Sequence, residues 1–332
     1  METLYLIAGV LVLILCIIDF TWTTLWIDGG AGPVTKHLSS SIWRFMRLVT
    51  RKQSKQLSLA GPLVLSATLL MWIGLLWIGW ALTFAGLEQS ISPSNGTDPI
   101  SWYDRFYFAG YLIFTLGNGD FSPMEGTAQI ISVIATATGM LFITFGVTYL
   151  ISILSAVTMK RSLAVSIHGL GESAEEIARS AWNGEDFHDL NLLLASFSEN
   201  LGSLAAQHAA YPVLHYYHAI SNTTALPTAI TVLDESLSII NFAVPEKHHP
   251  NQLLLKETRS SVDQYLTTLN PAFFKPAEQV PSLPDFHSLR GAGIPLIPEK
   301  EYTSAYKKIE TRRKKLLGGL EADGRPWPTD LN

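Results

Sequence analysis

Residues 4–27, 62–84 and 128–157 are each apolar for the length a membrane-crossing helix needs, about 20 residues. Nothing else in the chain constrains its fold as strongly. In hydrocarbon every backbone N–H and C=O must be satisfied within the chain, and only helices or closed barrels achieve this. Of the 332 residues, 48% are hydrophobic and 15% charged. These averages conceal a membrane half and, after Lys160, a half with the hydropathy of a soluble domain. The first stretch lacks a basic leader and a small-residue cleavage site and carries Trp22 and Trp26 at its far end, so it reads as a retained helix.

Basic residues set the expected orientation. Lys36, Arg44, Arg47, Arg51, Lys52 and Lys55 lie between the first two spans, and Lys160 and Arg161 follow the third, so both regions are expected in the cytoplasm. The N-terminus and segment 87–125 then face outside. There Glu88, Asp98, Asp104, Asp120 and Glu125 stand against Arg105 alone, which makes the outer mouth attractive to cations. The pattern Asn95-Gly96-Thr97 in this segment is a glycosylation sequon. Segment 39–57 interleaves apolar residues with Arg44, Arg47 and Arg51, as expected of a helix lying on the inner membrane surface, and is too polar for a spanning voltage sensor. Asp19, near the inner end of the first span, is expected to snorkel to water or pair with this connector. Trp72, Trp77 and Trp80 suit interfacial or packing positions. A net charge of -5 gives no hint of nucleic acid, and the single cysteine, Cys16, excludes a disulfide or a cysteine zinc site within one chain.

Between the second and third spans, residues 104–113 are aromatic and short enough for a re-entrant half-helix whose negative C-terminal end points into the pore. The chain continues as Thr115-Leu116-Gly117-Asn118-Gly119-Asp120. An ion filter needs successive carbonyls turned to one axis, and Gly117 and Gly119 reach the conformations that this demands. Thr115 adds a hydroxyl at the inner end and Asp120 a carboxylate outside. Alone, Gly-x-Gly-Asp reads as a turn; its place between two spans favours the filter.

This succession, over residues 61–158, resembles the pore module of the tetrameric potassium channel family. The resemblance implies a passive potassium-conducting homotetramer without enzymatic activity, in contact with membrane lipids in the cell inner (plasma) membrane, with no cofactor and no metal beyond permeant K+. The family's usual Thr-Val-Gly-Tyr-Gly-Asp maps onto Thr115, Leu116, Gly117, Asn118, Gly119 and Asp120. Leu116 is a mild departure. Asn118 replaces a tyrosine that packs as a cuff against aromatics expected here at Tyr107 and Phe108. Tyr111 stands where some relatives place a glutamate that bonds the outer aspartate, so a phenol would take that role. Gly139 falls where the family often has a gating hinge, and Gly146 follows one heptad later; close helix packing is the competing reading.

Gly169-x-Gly171-x-x-Ala174 matches part of a dinucleotide fingerprint, but the chain around it reads as helices rather than alternating strands. Ser173 and Glu176 form a capping-box pattern for a helix to about Trp182, and further helices are expected over 187–207, 226–242 and 252–269. His208, His215 and His218, with His248 and His249, offer metal or proton-sensing chemistry, or ordinary core and surface positions. Residues 270–298 are proline-rich and expected to form an extended linker. Residues 299–320 are expected to form one charged helix presenting Lys307, Lys308, Arg312, Arg313, Lys314 and Lys315 to solvent or anionic lipid. No nucleophile elbow, Walker loop or metalloprotease helix is present. The expected fold is an all-α membrane protein: a pore-loop channel module with an extra transmembrane helix and a helical cytoplasmic domain. Its segments are 1–60, 61–158, 159–270 and 271–332. A weakly selective monovalent cation channel and a non-conducting membrane-anchored signalling or scaffold protein are the alternative functions.

Overall fold

The computed structural model describes residues 1–50, 54–87, 90–94 and 99–328, with the backbone alone at 28, 54 and 270–273. Arg51, Lys52, Glu88, Asp98 and the sequon lie outside the described residues. The chain forms two compact units, Met1–Arg44 with Pro62–Ile153, and Phe45–Gly61 with Leu154–Asn332. Helices dominate both. The three expected spans are present as α1 (Glu2–Leu25), α4 (Ala60–Ala85) and α6 (Thr127–His168). Between the first two lie α2 (Pro33–Val49) and α3 (Ser54–Leu57), and between the last two α5 (Trp102–Ile113). At 42 residues, α6 extends well past residue 157, and at 1.5 Å per residue it is about twice as long as a hydrocarbon core is thick.

In the first unit α1 approaches α4 closely because small residues line the contact. A Cβ on Gly9 would stand 2.6 Å from Thr83 N, and one on Gly79 would stand 2.8 Å from the Leu13 side chain. Around this seam Phe20 stacks on Phe142 at 4.2 Å and meets Trp72 edge-on at 4.9 Å. Trp72 and Trp80 are packing residues, buried in the bundle, while Trp77 is partly exposed.

Asp19 neither snorkels nor pairs with a basic residue. Its carboxylate is fully buried and accepts from Val34 N (2.7 Å), Thr35 N (3.1 Å), Thr35 Oγ1 (2.5 Å) and Trp72 Nε1 (2.9 Å). It thus satisfies the free N–H groups at the start of α2 and lies at that helix's positive end. The connector helix accordingly begins at Pro33, six residues before the expected 39.

The second unit contains α7 (Ala174–Ala181), α8 (Asn191–Ala210), α9 (Leu226–Ala243), α10 (Gln252–Phe273), α11 (Phe286–Gly291), α12 (Glu299–Lys308) and α13 (Glu310–Ala322). Helix α9 is buried on nearly every face and packs against α7, α10, α12 and α13. No strand occurs among the described residues of this unit. Gly169 and Gly171 sit in a helix-to-helix turn, not at the end of a strand.

Three expectations for this half are corrected. Ser173 Oγ does accept from Glu176 N, but the Glu176 carboxylate takes Glu172 N (2.8 Å), so the reciprocal half of the capping box is shifted by one residue. The proline-rich stretch is not simply an extended linker: Ala277, Phe286, Leu289 and Ile294 are buried, the last three in the main hydrophobic core. The charged C-terminal helix breaks at Ile309, and Arg312 and Arg313 turn inward. Arg313, 1% exposed, forms a two-pronged pair with Glu235 at 2.8 and 2.9 Å, and Arg312 does the same with the fully buried Asp234 at 2.8 and 2.6 Å. Planar guanidinium–carboxylate matching is what allows such charges inside a core.

Candidate ion-conducting site

The site begins at the half-helix α5. Ser101 caps its start through a reciprocal box with Asp104, whose hydrogen bonds hold its carboxyl below the ordinary value. A Ser-x-x-Asp signature is visible in the sequence as a shorter form of the usual Ser-x-x-Glu. Arg105 Nη1 donates to the Phe84 carbonyl (3.3 Å), near the end of α4. The lone basic residue of the outer segment therefore serves a helix terminus. Trp77 Nε1 donates to the Phe106 carbonyl (2.8 Å), tying α5 to α4.

Past α5 the chain turns sharply. Phe114 N bonds Gly110 O, Thr115 N bonds Leu112 O and Leu116 N bonds Tyr111 O, at 2.9 to 3.2 Å. Thr115 (φ 53°), Gly117 (φ 68°) and Gly119 (φ 80°) are left-handed, while Leu116 and Asn118 between them are not. Thr115 is the only non-glycine residue with positive φ among the described residues. A β-branched residue held there is strained, a condition that clusters at functional positions. Alternating handedness turns successive carbonyls toward one side, unlike a strand, whose carbonyls alternate. Among the described residues no hydrogen-bond donor reaches the carbonyl oxygens of residues 115–118. The Gly119 carbonyl differs, since Ser94 Oγ donates to it at 2.5 Å.

Ser94 belongs to a feature that the sequence does not announce. Strands β1 (Ile91–Pro93) and β2 (Phe121–Pro123) pair antiparallel, with Ser92 opposite Ser122. With Ser94 N donating to Asp120 O (3.0 Å), this small ribbon fixes the exit of the 115–120 segment.

Behind the segment, Tyr107 Oη donates to Asp120 Oδ2 (2.7 Å) and accepts from Asn118 Nδ2 (2.8 Å). The bond to Asp120 raises the Tyr107 pKa, which keeps the phenol a donor. The phenol that meets Asp120 is therefore Tyr107, one helical turn before Tyr111. Tyr111 instead stacks with Phe108, at 6.0 Å between rings, and Phe108 is fully buried beside Phe84.

Gly139 lies directly behind the end of α5: a Cβ there would be 2.5 Å from the Ile113 carbonyl oxygen. Gly146 is looser, with Leu69 Cδ2 at 3.5 Å from the same imagined atom. The geometry gives Gly139 a packing role that Gly146 lacks.

Three of the histidines in the second unit have partners of their own. His218 bonds Asp323, His248 bonds the Glu185 carbonyl and His249 bonds the Val244 carbonyl. No group of three metal-ligating side chains is placed to hold an ion among the described residues.

Comparison with known proteins agrees with this arrangement. The family described as Ion channel matches residues 67–156, which include α5, the 115–120 segment and most of both flanking spans. A Bacillus subtilis (strain 168) protein described as "Uncharacterized membrane protein YdjJ" is 47% identical over 324 residues, covering 98% of this chain and 95% of that protein. No solved structure matches the chain. The chain therefore belongs to the same family as YdjJ, and it is a helical membrane protein of the pore-loop ion channel family.

Proposed function

We propose that the protein is a passive potassium channel in which four identical subunits each contribute the carbonyls of residues 115–118 to a filter. The observation that carries this reading is the alternation of left-handed φ at Thr115, Gly117 and Gly119. One chain supplies one strand, and a closed ring around an ion needs several; four is the number that the family resemblance implies. Gly119, with Ser94 on its carbonyl, anchors the outer end rather than binding the dehydrated ion.

In this reading Asp120 holds the filter from outside through Tyr107, and Phe108 and Tyr111 form the packed layer behind it. Gly146 is the better candidate for a bend in α6, because Gly139 is committed to the Ile113 contact. The protein sits in the plasma membrane with its N-terminus outside and its C-terminal helical domain in the cytoplasm, and it uses no cofactor. A weakly selective cation channel is a second reading, favoured by one observation: Asn118 reaches Tyr107 through a single hydrogen bond where the family has a packed aromatic ring. Reversal potentials in mixed potassium and sodium separate the two. A strong potassium preference supports the first, and near-equal permeability supports the second.

A further inference from the structure

Within the second unit a chamber of about 40 Å³ is lined by α6, α8, α9, α10, α13 and the turn containing His215. Since one water needs roughly 10–15 Å³ of such space, the chamber holds about three or four waters, and the atoms of one small molecule, being bonded, pack more closely than separate waters do. Its walls are of two kinds. Ile230, Leu266 and Leu316 are apolar, whereas Lys160, His208 and Tyr265 present polar groups.

The polar groups are unbalanced. Lys160 Nζ donates to the carbonyls of Leu214 (3.3 Å) and Tyr217 (3.2 Å), which leaves one of its three N–H groups over. No carboxylate lies within ion-pair distance of it among the described residues. Asp323 lines the same chamber, and each of its oxygens accepts one hydrogen bond, from His218 Nδ1 (2.9 Å) and from Arg325 Nε (2.7 Å), so its charge is paired with Arg325 rather than with Lys160. His208 is 3% exposed and its Nδ1 has no partner among the described residues. A cation beside a buried, unpartnered imidazole nitrogen calls for a ligand that brings negative charge and hydrogen-bond acceptors.

We propose that this chamber binds a short-chain carboxylate of acetate or propionate size, with its charged end on the Lys160 ammonium and its carbon end against Ile230, Leu266 and Leu316. The apolar wall is what distinguishes this ligand from chloride or bicarbonate, which have no apolar end to bury. Lys160 lies on α6, the helix that also carries Gly139 and Gly146.

The test is calorimetric titration of the detergent-solubilised full-length protein with sodium acetate and sodium propionate, against sodium chloride at equal ionic strength. Saturable binding of both carboxylates and none of chloride is expected, and Lys160→Met should weaken it by about tenfold or more, as loss of a charged hydrogen bond implies. Should Lys160→Met fail to fold, Thr231→Leu fills the chamber without touching a charge and should abolish binding while the circular dichroism stays native. Absence of saturable carboxylate binding, equal binding of chloride, or undiminished binding in a folded variant would overturn the proposal. Because calorimetry reads no ion flux, the outcome is independent of the ion selectivity of the pore.

Discussion

The Tyr107 hydroxyl lies 2.7 Å from Asp120 Oδ2, joining the half-helix α5 to the residue that closes the outer end of the 115–120 segment. Asn118 Nδ2 donates to that same hydroxyl oxygen of Tyr107 (2.8 Å), so one phenol ties together two positions of the segment. Tyr107→Phe removes both bonds but keeps the ring. With a net worth of about 0.5–1.5 kcal/mol for a hydrogen bond, potassium preference over sodium should fall by about two- to tenfold, measured by reversal potential. An unchanged ratio would show that the filter holds its width without this clasp.

Gly139 and Gly146 separate packing from bending. Gly139→Ala places a methyl 2.5 Å from the Ile113 carbonyl, and overpacking of that kind costs about 1–3 kcal/mol. Thermal melting of the purified protein should drop by several degrees. Gly146→Ala has room and should leave melting unchanged or slightly raised. If α6 bends at Gly146, the same variant lowers open probability in single-channel records.

Asp19→Ala leaves three or four buried donors without an acceptor. The expected loss is about 2–4 kcal/mol, seen as a lower melting temperature and as faster proteolysis within α2. Asp19→Asn retains one acceptor oxygen and should lose less. Equal stability of Asp19→Ala and the parent would remove the carboxylate from its capping role.

Much of this fold was legible in the sequence, and the unreadable parts share a cause. Spans, half-helix and Gly-x-Gly segment rest on length and local pattern, and these lie within a few residues of their expected bounds except at the far end of α6, which runs on to His168. Asp19 looked like a charge seeking water because its partners Thr35 and Trp72 lie 16 and 53 positions away. Arg313 looked like surface charge because Glu235 is 78 positions away. Long-range pairing leaves no periodic trace. Spacing in relatives points to Tyr111 for the Asp120 contact, whereas Tyr107, one helical turn earlier, makes it, and only the fold decides which reaches. The three-residue strands β1 and β2, and with them Ser94, are too short to rise above loop composition.

Acid should weaken the second unit. Burial lowers the His208 pKa well below its ordinary 6.5. As pH falls below 6.5 the unfolded chain takes up a proton that the folded chain does not, so stability present above 6.5 is lost progressively. The slope is at most about 1.4 kcal/mol per pH unit for this one group. Melting temperatures from pH 7.5 to 5 should fall, and His208→Gln should flatten the curve. A parent curve that rises on acidification would contradict the assignment of a neutral buried His208.

Ion flux from purified protein in liposomes, measured for potassium and for sodium in the parent and in Gly117→Ala, bears most directly on the assignment of residues 115–118 as a potassium filter. Gly117 has φ 68° and no atom within 4 Å of an added Cβ, so alanine acts there through the backbone, at a cost of about 1–2 kcal/mol in each filter strand. Potassium flux at least about tenfold above sodium flux, equivalent to about 1.4 kcal/mol of discrimination, is expected in the parent and should be lost in Gly117→Ala. No flux in the parent, equal fluxes of the two ions, or an unaltered potassium preference in Gly117→Ala would contradict the filter.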